Sequence, residues 1–99
     1  MFIAVLDLYT TAPDRAAALA QLDAERDEIR AMPGNLDFRV YSARDNEGGV
    51  AVIHEWADQP SFAAYLASDS FARSSAVIRP LMSEPSVSRR FHASLLETV

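Results

Sequence analysis

Hydrophobic and polar positions divide the first third of the chain into a strand and a helix. The stretch Phe2–Thr10 is apolar and rich in β-forming residues, which predicts a strand that is apolar on both faces. Arg15–Met32 is Ala-rich with helical periodicity, and the pair Pro33-Gly34 is a stop signal at its end. Thr11 and Asp14 have the spacing of a capping box at the start of that helix.

The middle of the chain has the pattern of a β-hairpin. Apolar and polar residues alternate over Leu36–Ala43, so its apolar positions fall on one face of a strand. Asp45–Gly49 is rich in turn-forming residues, and Val50–Trp56 returns as the second strand. A strand that ends in a large aromatic side chain beside a helix start favours a pocket at that corner.

The last third of the chain predicts two helices and a strand. Asp58 can cap a helix over Gln59–Ala67, and Ser68-Asp69-Ser70 is a break with a new N-cap. A further helix over Phe71–Leu81 ends around its proline, and Ser86–Ala93 forms the last strand. The order β-α-β-β-α-β is the ferredoxin-like arrangement, so we predict an α+β fold with an antiparallel sheet.

The sheet face that points away from the helices is more apolar than a solvated face needs to be. In an antiparallel sheet with one solvent-exposed face, apolar and polar positions alternate more regularly than they do in these strands. A contiguous apolar face indicates burial by another chain, so the pattern predicts a homodimer that pairs sheet to sheet. The alternative is a monomer whose sheet is apolar but solvated. The side chains on this face are Ile3, Val5, Tyr9, Tyr41, Ala51 and Ile53.

Composition limits the classes of partner. Ninety-nine residues suffice for one domain, residues 1–99, with one modest core. The net charge is −5 and the nine cationic residues are all Arg without a basic cluster, which argues against nucleic acid and anionic membranes. The lack of Cys excludes disulfides and thiolate chemistry. The apolar start is too short to span a membrane and lacks a basic leader, so we expect a cytoplasmic protein.

Six short motifs follow one another in order along the chain. They are Pro33-Gly34, Leu36-x-Phe38, Glu55-Trp56-Ala57-Asp58, Phe62-Ala63-Ala64-Tyr65-Leu66-Ala67-Ser68, Phe71 and Pro80-Leu81-Met82. Each motif is weak by itself, but the ordered set resembles the antibiotic-biosynthesis monooxygenase (ABM) family over essentially the whole chain.

The resemblance implies a dimeric α+β barrel, in which two ferredoxin-like protomers pack sheet against sheet. It also implies one of the activities found in the family. These include cofactor-independent monooxygenases that convert aromatic phenols to quinones, heme-degrading enzymes and small-molecule isomerases. The chain departs from the family pattern at His54, where Glu is common, and at Tyr65, where His is common. The iron-ligating His of the heme-degrading branch would fall near Ser75, so heme binding is not expected.

His54 and Trp56 lie two residues apart on a strand and therefore share a face. If that face meets the helices, the pair lines a cleft that Phe62, Tyr65 and Phe71 close. An indole supplies a flat apolar wall and one N–H donor, which suits a planar aromatic substrate. The alternative is a core Trp at a strand-helix corner.

His54 and Tyr65 are the candidates for proton chemistry. The unperturbed pKa of His, about 6.5, suits a general base, whereas Tyr, with a pKa of about 10, is a hydrogen-bond donor. The alternatives are a His that only hydrogen-bonds within the fold and a half-buried helix aromatic. The predicted substrate-binding residues are Trp56, Phe62, Phe71 and Phe38.

Arg26 is the third candidate for the catalytic set. Leu19, Leu22 and Ile29 define the buried face of the first helix, and at 100° per residue Arg26 points along the centre of that face. One hypothesis is that Arg26 reaches the cleft and stabilises an anionic substrate or intermediate. The other is that it lies over the apolar face and forms a structural ion pair.

Several kinds of site lack their sequence signals. His54 and His92 do not indicate a metal site within one chain, because their strands flank the first strand on opposite sides. No Gly-rich loop opens a helix after a strand, so a nucleotide cofactor has no cradle. No Ser-His-acid set has a recognisable nucleophile elbow. We therefore expect neither a metal nor an organic cofactor.

The combined interpretation is a homodimer that binds a small aromatic molecule between sheet and helices. By resemblance, the expected activity is cofactor-independent monooxygenation of a phenolic substrate, which brings its own reducing power to O₂. The protein then has to manage a proton, hold the anion and exclude water. The alternatives are a non-catalytic small-molecule-binding dimer and a small-metabolite isomerase.

Overall fold

Four strands form one antiparallel sheet in the order β2-β3-β1-β4, and three helices pack on one of its faces. The structure is a computed structural model that describes residues 1–99. The predicted β-α-β-β-α-β order and the ferredoxin-like α+β fold are confirmed. The elements are β1 (Phe2–Tyr9), α1 (Arg15–Arg30), β2 (Asn35–Ser42), β3 (Gly49–Trp56), α2 (Gln59–Leu66), α3 (Asp69–Ile78) and β4 (Val87–His92).

The predicted capping box before α1 is wrong. Thr11 does not accept a hydrogen bond from a backbone N–H; instead its hydroxyl donates to the Asp14 carboxylate at 3.1 Å. A short 3₁₀ turn, Ala12–Asp14, occupies the space between β1 and α1. At the other end of the fold, α3 ends at Ile78 and continues to Leu81 only as a 3₁₀ turn, because Pro80 has no N–H to donate.

The predicted caps of α2 and α3 are both present. The Asp58 side chain accepts hydrogen bonds from the Ser61 hydroxyl at 2.7 Å and from the Ser61 N–H at 2.9 Å, and these two bonds, the hydroxyl's first, lower the pKa of Asp58. The Ser68 hydroxyl accepts from the Phe71 N–H at 3.2 Å. Because each helix has its own N-cap, the chain turns between them and brings two short helices against the sheet.

The end of α1 and the start of α2 meet at Gly34. This residue has φ of +81°, and an added Cβ would lie 2.1 Å from the Ser61 hydroxyl oxygen. Its carbonyl accepts a hydrogen bond from the Ala57 N–H at 2.7 Å. Glycine is therefore required both by the backbone conformation and by the close approach of α2.

The core lies between the three helices and the sheet face that they cover, called here the helix-covered face. Within a strand, alternate residues point to this face, which explains why β3 buries every second side chain and β1 buries Phe2, Ala4 and Leu8, with Leu6 only partly buried. The buried apolar side chains are Phe2, Ala4, Leu8, Ala18, Leu22, Ile29, Phe38, Val50, Val52, Trp56, Phe62, Tyr65 and Ile78.

The opposite side of the sheet, called here the bare face, is covered by no element of this chain. Strand register places the six apolar side chains predicted for this face on it, with Val5 directly opposite Ile53. Strand β4 adds Val87 and Phe91, which are half-exposed. The bare face therefore combines these apolar side chains with two groups of ion-paired residues, Asp37–Arg39–Glu55 and Asp7–Arg89. None of the three helices has the length and apolar character needed to span a bilayer.

Candidate functional site

A cavity of about 190 Å³ lies on the helix-covered face, between β1 and β4 on one side and α2 and α3 on the other. It forms because the helices pack over β2, β3 and β1, while every residue of β4 is exposed. The side chains that β4 presents toward the helices include Ser88 and Arg90, which do not fill the space. The apolar wall consists of Leu6, Leu8, Leu22, Phe62, Tyr65, Leu66, Phe71, Ile78 and Met82.

Four of the seven predicted site residues border this cavity. They are His54 on β3, Phe62 and Tyr65 on α2, and Phe71 on α3. The Tyr65 ring connects the other aromatic side chains, since its centroid lies 5.6 Å from that of His54 and 5.4 Å from that of Phe71. The structure therefore brings these four residues together around one space.

Trp56 does not border the cavity, contrary to its predicted role as a wall. Its side chain is completely buried and stacks on Tyr65, with ring centroids 5.4 Å apart and an interplanar angle of 27°. Phe62 also covers it, at 6.4 Å. The helix α2 that starts just after β3 folds back over Trp56, so the indole lies behind the cavity wall rather than in it.

Phe38 lies in the same buried layer and likewise has no surface in the cavity. Its ring meets His54 edge to face at 5.4 Å and Tyr65 at 6.3 Å. Phe38 and Trp56 therefore support the side chains that border the cavity. Neither can contact a ligand there in this arrangement.

Arg26 does not reach the cavity. Its side chain is 41% exposed and pairs with Asp23 on its own helix at 3.5 Å. The buried positions of α1 are Ala18, Leu22, Glu25 and Ile29. The predicted Leu22 and Ile29 are buried, but the centre of the buried face is shifted toward Ala18 and Glu25 and away from Arg26.

Glu25 is the buried charge that the sequence analysis missed. Its carboxylate accepts hydrogen bonds from the Ser70 hydroxyl at 2.7 Å and from the Arg73 Nε at 2.8 Å. The Arg73 guanidinium, which also bonds Glu28, is the main reason that the pKa of Glu25 falls to about 2. The ionised carboxylate therefore joins α1 to α3 behind the cavity.

His54 is a neutral imidazole at physiological pH. Burial, and secondarily the positive charge of Arg90, lower its pKa to about 4. Its Nδ1 accepts a hydrogen bond from the Trp56 indole N–H at 2.9 Å. This environment is opposite to that of a general base, because the ring resists protonation and one lone pair is already engaged.

Tyr65 stays protonated near neutral pH and can donate a hydrogen bond. Burial, followed by the negative charge of Glu25, raises the pKa of its phenol to about 12. The predicted role of Tyr65 as a hydrogen-bond donor is compatible with this environment.

Six further polar side chains at the cavity were not predicted: Ser74, Ser75, Arg79, Ser86, Ser88 and Arg90. Ser74 on α3 is nearly buried, and its hydroxyl has no hydrogen-bond partner. Arg90 extends from β4 over the Phe62 ring, with its guanidinium carbon 4.9 Å from the ring centroid. A serine on an amphipathic helix and an arginine on a polar strand have no pattern that marks them as functional. No Asp or Glu borders the cavity.

Comparison with known families decides the assignment of the chain. The family model described as antibiotic biosynthesis monooxygenase, ABM, matches residues 1–76. The chain belongs to this family. The matched part contains β1 to β3, α1, α2 and most of α3, and therefore every predicted site residue. No curated protein sequence matches this ABM protein at a significant level.

The fold of this ABM protein recurs in solved structures of low sequence identity. A protein from Nitrosomonas europaea, proposed to be an antibiotic biosynthesis monooxygenase, matches with a TM-score of 0.88 at 13% identity, covering 94% of this chain and 98% of that one. A similarly described protein from Deinococcus radiodurans has a TM-score of 0.89 at 16% identity, with 100% and 98% covered. Rv0793 from Mycobacterium tuberculosis has a TM-score of 0.87 at 19% identity, with 99% and 98% covered.

Proposed function

We propose that this ABM protein binds a small phenolic aromatic in the cavity and oxidises it with O₂, without a cofactor. The observation that carries the proposal is the composition of the cavity wall: Phe62, Phe71 and Tyr65 supply apolar ring surface, while His54, Ser74 and Arg90 supply polar groups. A mainly apolar cavity with a few polar groups is the usual form of a small-molecule site.

The size of the cavity favours a compound of one or two rings. Sites for drug-sized ligands enclose about 300–1,000 Å³, whereas an apolar cavity of about 150 Å³ is enough for benzene. At about 190 Å³, this cavity lies near the lower figure. Larger polycyclic substrates would have to extend past β4 into solvent.

The proposed reaction consumes only the phenol and O₂. A phenolate transfers one electron to O₂, and the phenoxyl radical and superoxide combine, which forms a C–O bond at the para carbon. The hydroperoxide takes up the phenol's proton and then loses water as its O–O bond and the para C–H bond break, leaving a quinone. Phenol plus O₂ thus gives quinone plus water, and the aromatic supplies all the electrons.

The proposed role of the protein is to stabilise the phenolate. The guanidinium of Arg90 provides a positive charge beside the cavity, and the Tyr65 hydroxyl can donate a hydrogen bond to an anionic oxygen. Both groups lower the pKa of a bound phenol, so that its proton leaves to water without a dedicated base. Arg26 has no part in this proposal, since it lies outside the cavity.

An oxygen electrode tests the reaction directly. With 1-naphthol, in chelator-treated buffer without flavin, we expect one O₂ consumed per naphthoquinone formed. Tyr65→Phe removes a donor to the anionic oxygen and should slow turnover by about 10²-fold, the range for a lost proton-transfer group or oxyanion donor. Tyr41→Phe on the bare face is the matched control and should have no effect. Absence of oxygen uptake with a range of one- and two-ring phenols would contradict the proposal.

A non-catalytic ligand-binding protein is the second candidate. It is favoured by the state of the cavity's titratable groups, because neither His54 nor Tyr65 can accept a proton readily near neutral pH. The same property weighs against an isomerase, which needs a base to move a proton. This candidate is distinguished by saturable binding of 1-naphthol with no oxygen uptake.

We propose further that the bare face is the contact between two copies of the chain. Its apolar area, extended by Val87 and Phe91, is of the kind that another chain buries. Val5→Asp together with Ile53→Asp would place unpaired charges in the contact, each costing several kcal/mol. Sedimentation is expected to change from dimer to monomer. Ala17→Asp with Ala24→Asp, which adds the same charge to the exposed side of α1, is the control, and a double mutant on the sheet that remains dimeric would refute the proposal.

A further inference from the structure

The hydrogen bond between Trp56 and His54 determines which ring nitrogen of His54 carries the proton. An indole N–H can only donate, and it lies 2.9 Å from the His54 Nδ1. That nitrogen must therefore act as the acceptor. In a neutral imidazole with an unprotonated Nδ1, the proton resides on Nε2.

The other edge of the His54 ring is available to the cavity. No hydrogen bond joins Nε2 to any group of the chain, and His54 is one of the residues that border the cavity. Ring reorientation is opposed by aromatic neighbours on several sides, since the centroids of Phe38, Phe62 and Tyr65 lie 5.4, 5.5 and 5.6 Å from that of the imidazole. The tautomer and the orientation of the ring are thus determined by the same buried layer.

The other polar side chains at the cavity are hydroxyls, which can donate, and two arginines: Tyr65, Ser74, Ser75, Ser86, Ser88, Arg79 and Arg90. The Ser74 hydroxyl is nearly buried and has no partner, so its proton is free to point toward a ligand. Tyr65 is a donor, and Arg90 provides the positive charge nearest to His54. Since no carboxylate borders the cavity, a cationic or donor-only ligand has no charged acceptor to bind.

We propose that Trp56 is a positioning residue that locks His54 as an Nε2–H donor, and that the cavity thereby selects aromatic ligands bearing an anionic acceptor oxygen, a phenolate or a carboxylate. The selectivity rests on the proposed function insofar as it takes the cavity to be the ligand site. Recognition then depends on a hydrogen bond from a neutral donor together with a nearby positive charge. This assigns Trp56 an indirect role, through His54, in place of direct contact.

Nitrogen NMR of the ligand-free protein tests whether Trp56 fixes the tautomer of His54. We expect His54 to show the shifts of an unprotonated Nδ1 and a protonated Nε2 at pH 7, with the Trp56 indole proton shifted downfield by its hydrogen bond. Trp56→Phe keeps an aromatic ring but removes the donor, so the His54 shifts are expected to move toward a tautomer mixture. Protonation of His54 at Nδ1 in the wild-type protein would overturn the proposed tautomer. His54 nitrogen shifts that Trp56→Phe leaves unchanged would overturn the role of Trp56 in fixing it.

Calorimetry with four matched compounds tests the selectivity. We expect 2-naphthoate to bind at least tenfold more tightly than naphthalene, with 2-naphthol between them and 2-naphthylmethylamine weakest. Trp56→Phe leaves part of His54 with its proton on Nε2 and leaves Arg90 in place, so it should reduce but not abolish the preference for 2-naphthoate, while naphthalene still binds. Equal affinities of the wild-type protein for 2-naphthoate and naphthalene would overturn the selectivity.

A second pair of variants covers the possibility that Trp56→Phe does not fold. His54→Gln can accept from the indole through its amide oxygen and donate through its amide nitrogen, so it is expected to restore part of the preference that His54→Leu loses. Equal preference in the two variants would refute the role of His54. If none of the four compounds binds the wild-type protein, the proposed ligand site fails and the selectivity fails with it, whereas the NMR result still decides the lock.

Discussion

The two halves of the helix-covered face differ in how completely they are filled. Over β2 and β3, the filled half, the large side chains Phe38 and Trp56 are fully buried against the helices. Over β1 and β4, the hollow half, the strand β4 offers Ser88 and Arg90, and the cavity remains. His54 lies at the boundary, hydrogen-bonded to the filled half and bordering the hollow one.

This difference in filling distinguishes residues that support the site from residues that would contact a ligand. Side chains in the filled half have no room to move, so they can hold a neighbour in one orientation and one tautomer. Side chains in the hollow half have open space and, at Ser74, an unpaired polar atom. The best-packed aromatic residue of this protein is therefore not the one that would meet a ligand.

The largest expected effect of a mutation belongs to the filled half. Trp56→Ala removes a completely buried indole and leaves its His54 partner unpaired, so we expect a loss of about 3–5 kcal/mol in the free energy of unfolding. Phe71→Ala in the hollow half removes a partly exposed ring that already borders empty space, and a smaller loss is expected. Urea titration measures both. Equal losses would remove the distinction between the halves.

Acid should weaken the fold through His54. The folded-state pKa of about 4 lies below the usual His pKa of 6.5, so the unfolded chain takes up the proton first as the pH falls. The stabilisation is complete above about pH 6.5 and is lost progressively down to about pH 4, by about 3 kcal/mol in all. His54→Gln cannot titrate and serves as the control. Urea midpoints that fall equally in both proteins over this window would contradict the account.

A smaller effect is expected at the junction of α1 and α3. Glu25→Ala leaves the buried Ser70 hydroxyl without its acceptor, which costs about 1–3 kcal/mol. Glu28→Ala, at an exposed site on the same helix, is the matched control and should change stability by no more than about 0.5 kcal/mol. Thermal unfolding distinguishes the two, and similar shifts would show that Glu25 is not a structural junction.

The smallest effect on stability is expected at Ser74. Its hydroxyl already lacks a partner, so Ser74→Ala removes an unsatisfied polar group and should leave the free energy of unfolding unchanged or slightly raised. The same change is expected to weaken binding of 2-naphthoate, because it removes a donor from the cavity wall. A substantial loss of stability in this variant would show that the hydroxyl has a structural partner.

The elements of the fold could be predicted because their signals are local. Asp58 and Ser68 cap helices through bonds to residues three positions away, and alternation within β3 is visible in the sequence itself. The face that each strand residue occupies follows from the same alternation, which is why the bare face was assigned correctly.

The site was only partly predictable because its details depend on distant pairs. Glu25 is buried because Arg73, 48 residues later, neutralises it, and the spacing of the apolar residues in α1 could not reveal that partner. Alternation placed His54 and Trp56 on the correct face, but it carries no information on which of them the helix α2 covers. The cavity results from the absence of side chains over β4, and no sequence pattern marks such an absence.

The most direct test of the central claim is to map where a ligand binds. On adding 2-naphthoate to isotope-labelled protein, we expect chemical-shift changes at His54, Tyr65, Ser74 and Arg90 in the hollow half, with the bare-face residue Tyr41 unaffected. This pattern would establish the hollow half as the ligand site and the filled half as its support. Shifts concentrated on the bare face, or around Trp56 with none at Ser74 and Arg90, would contradict it.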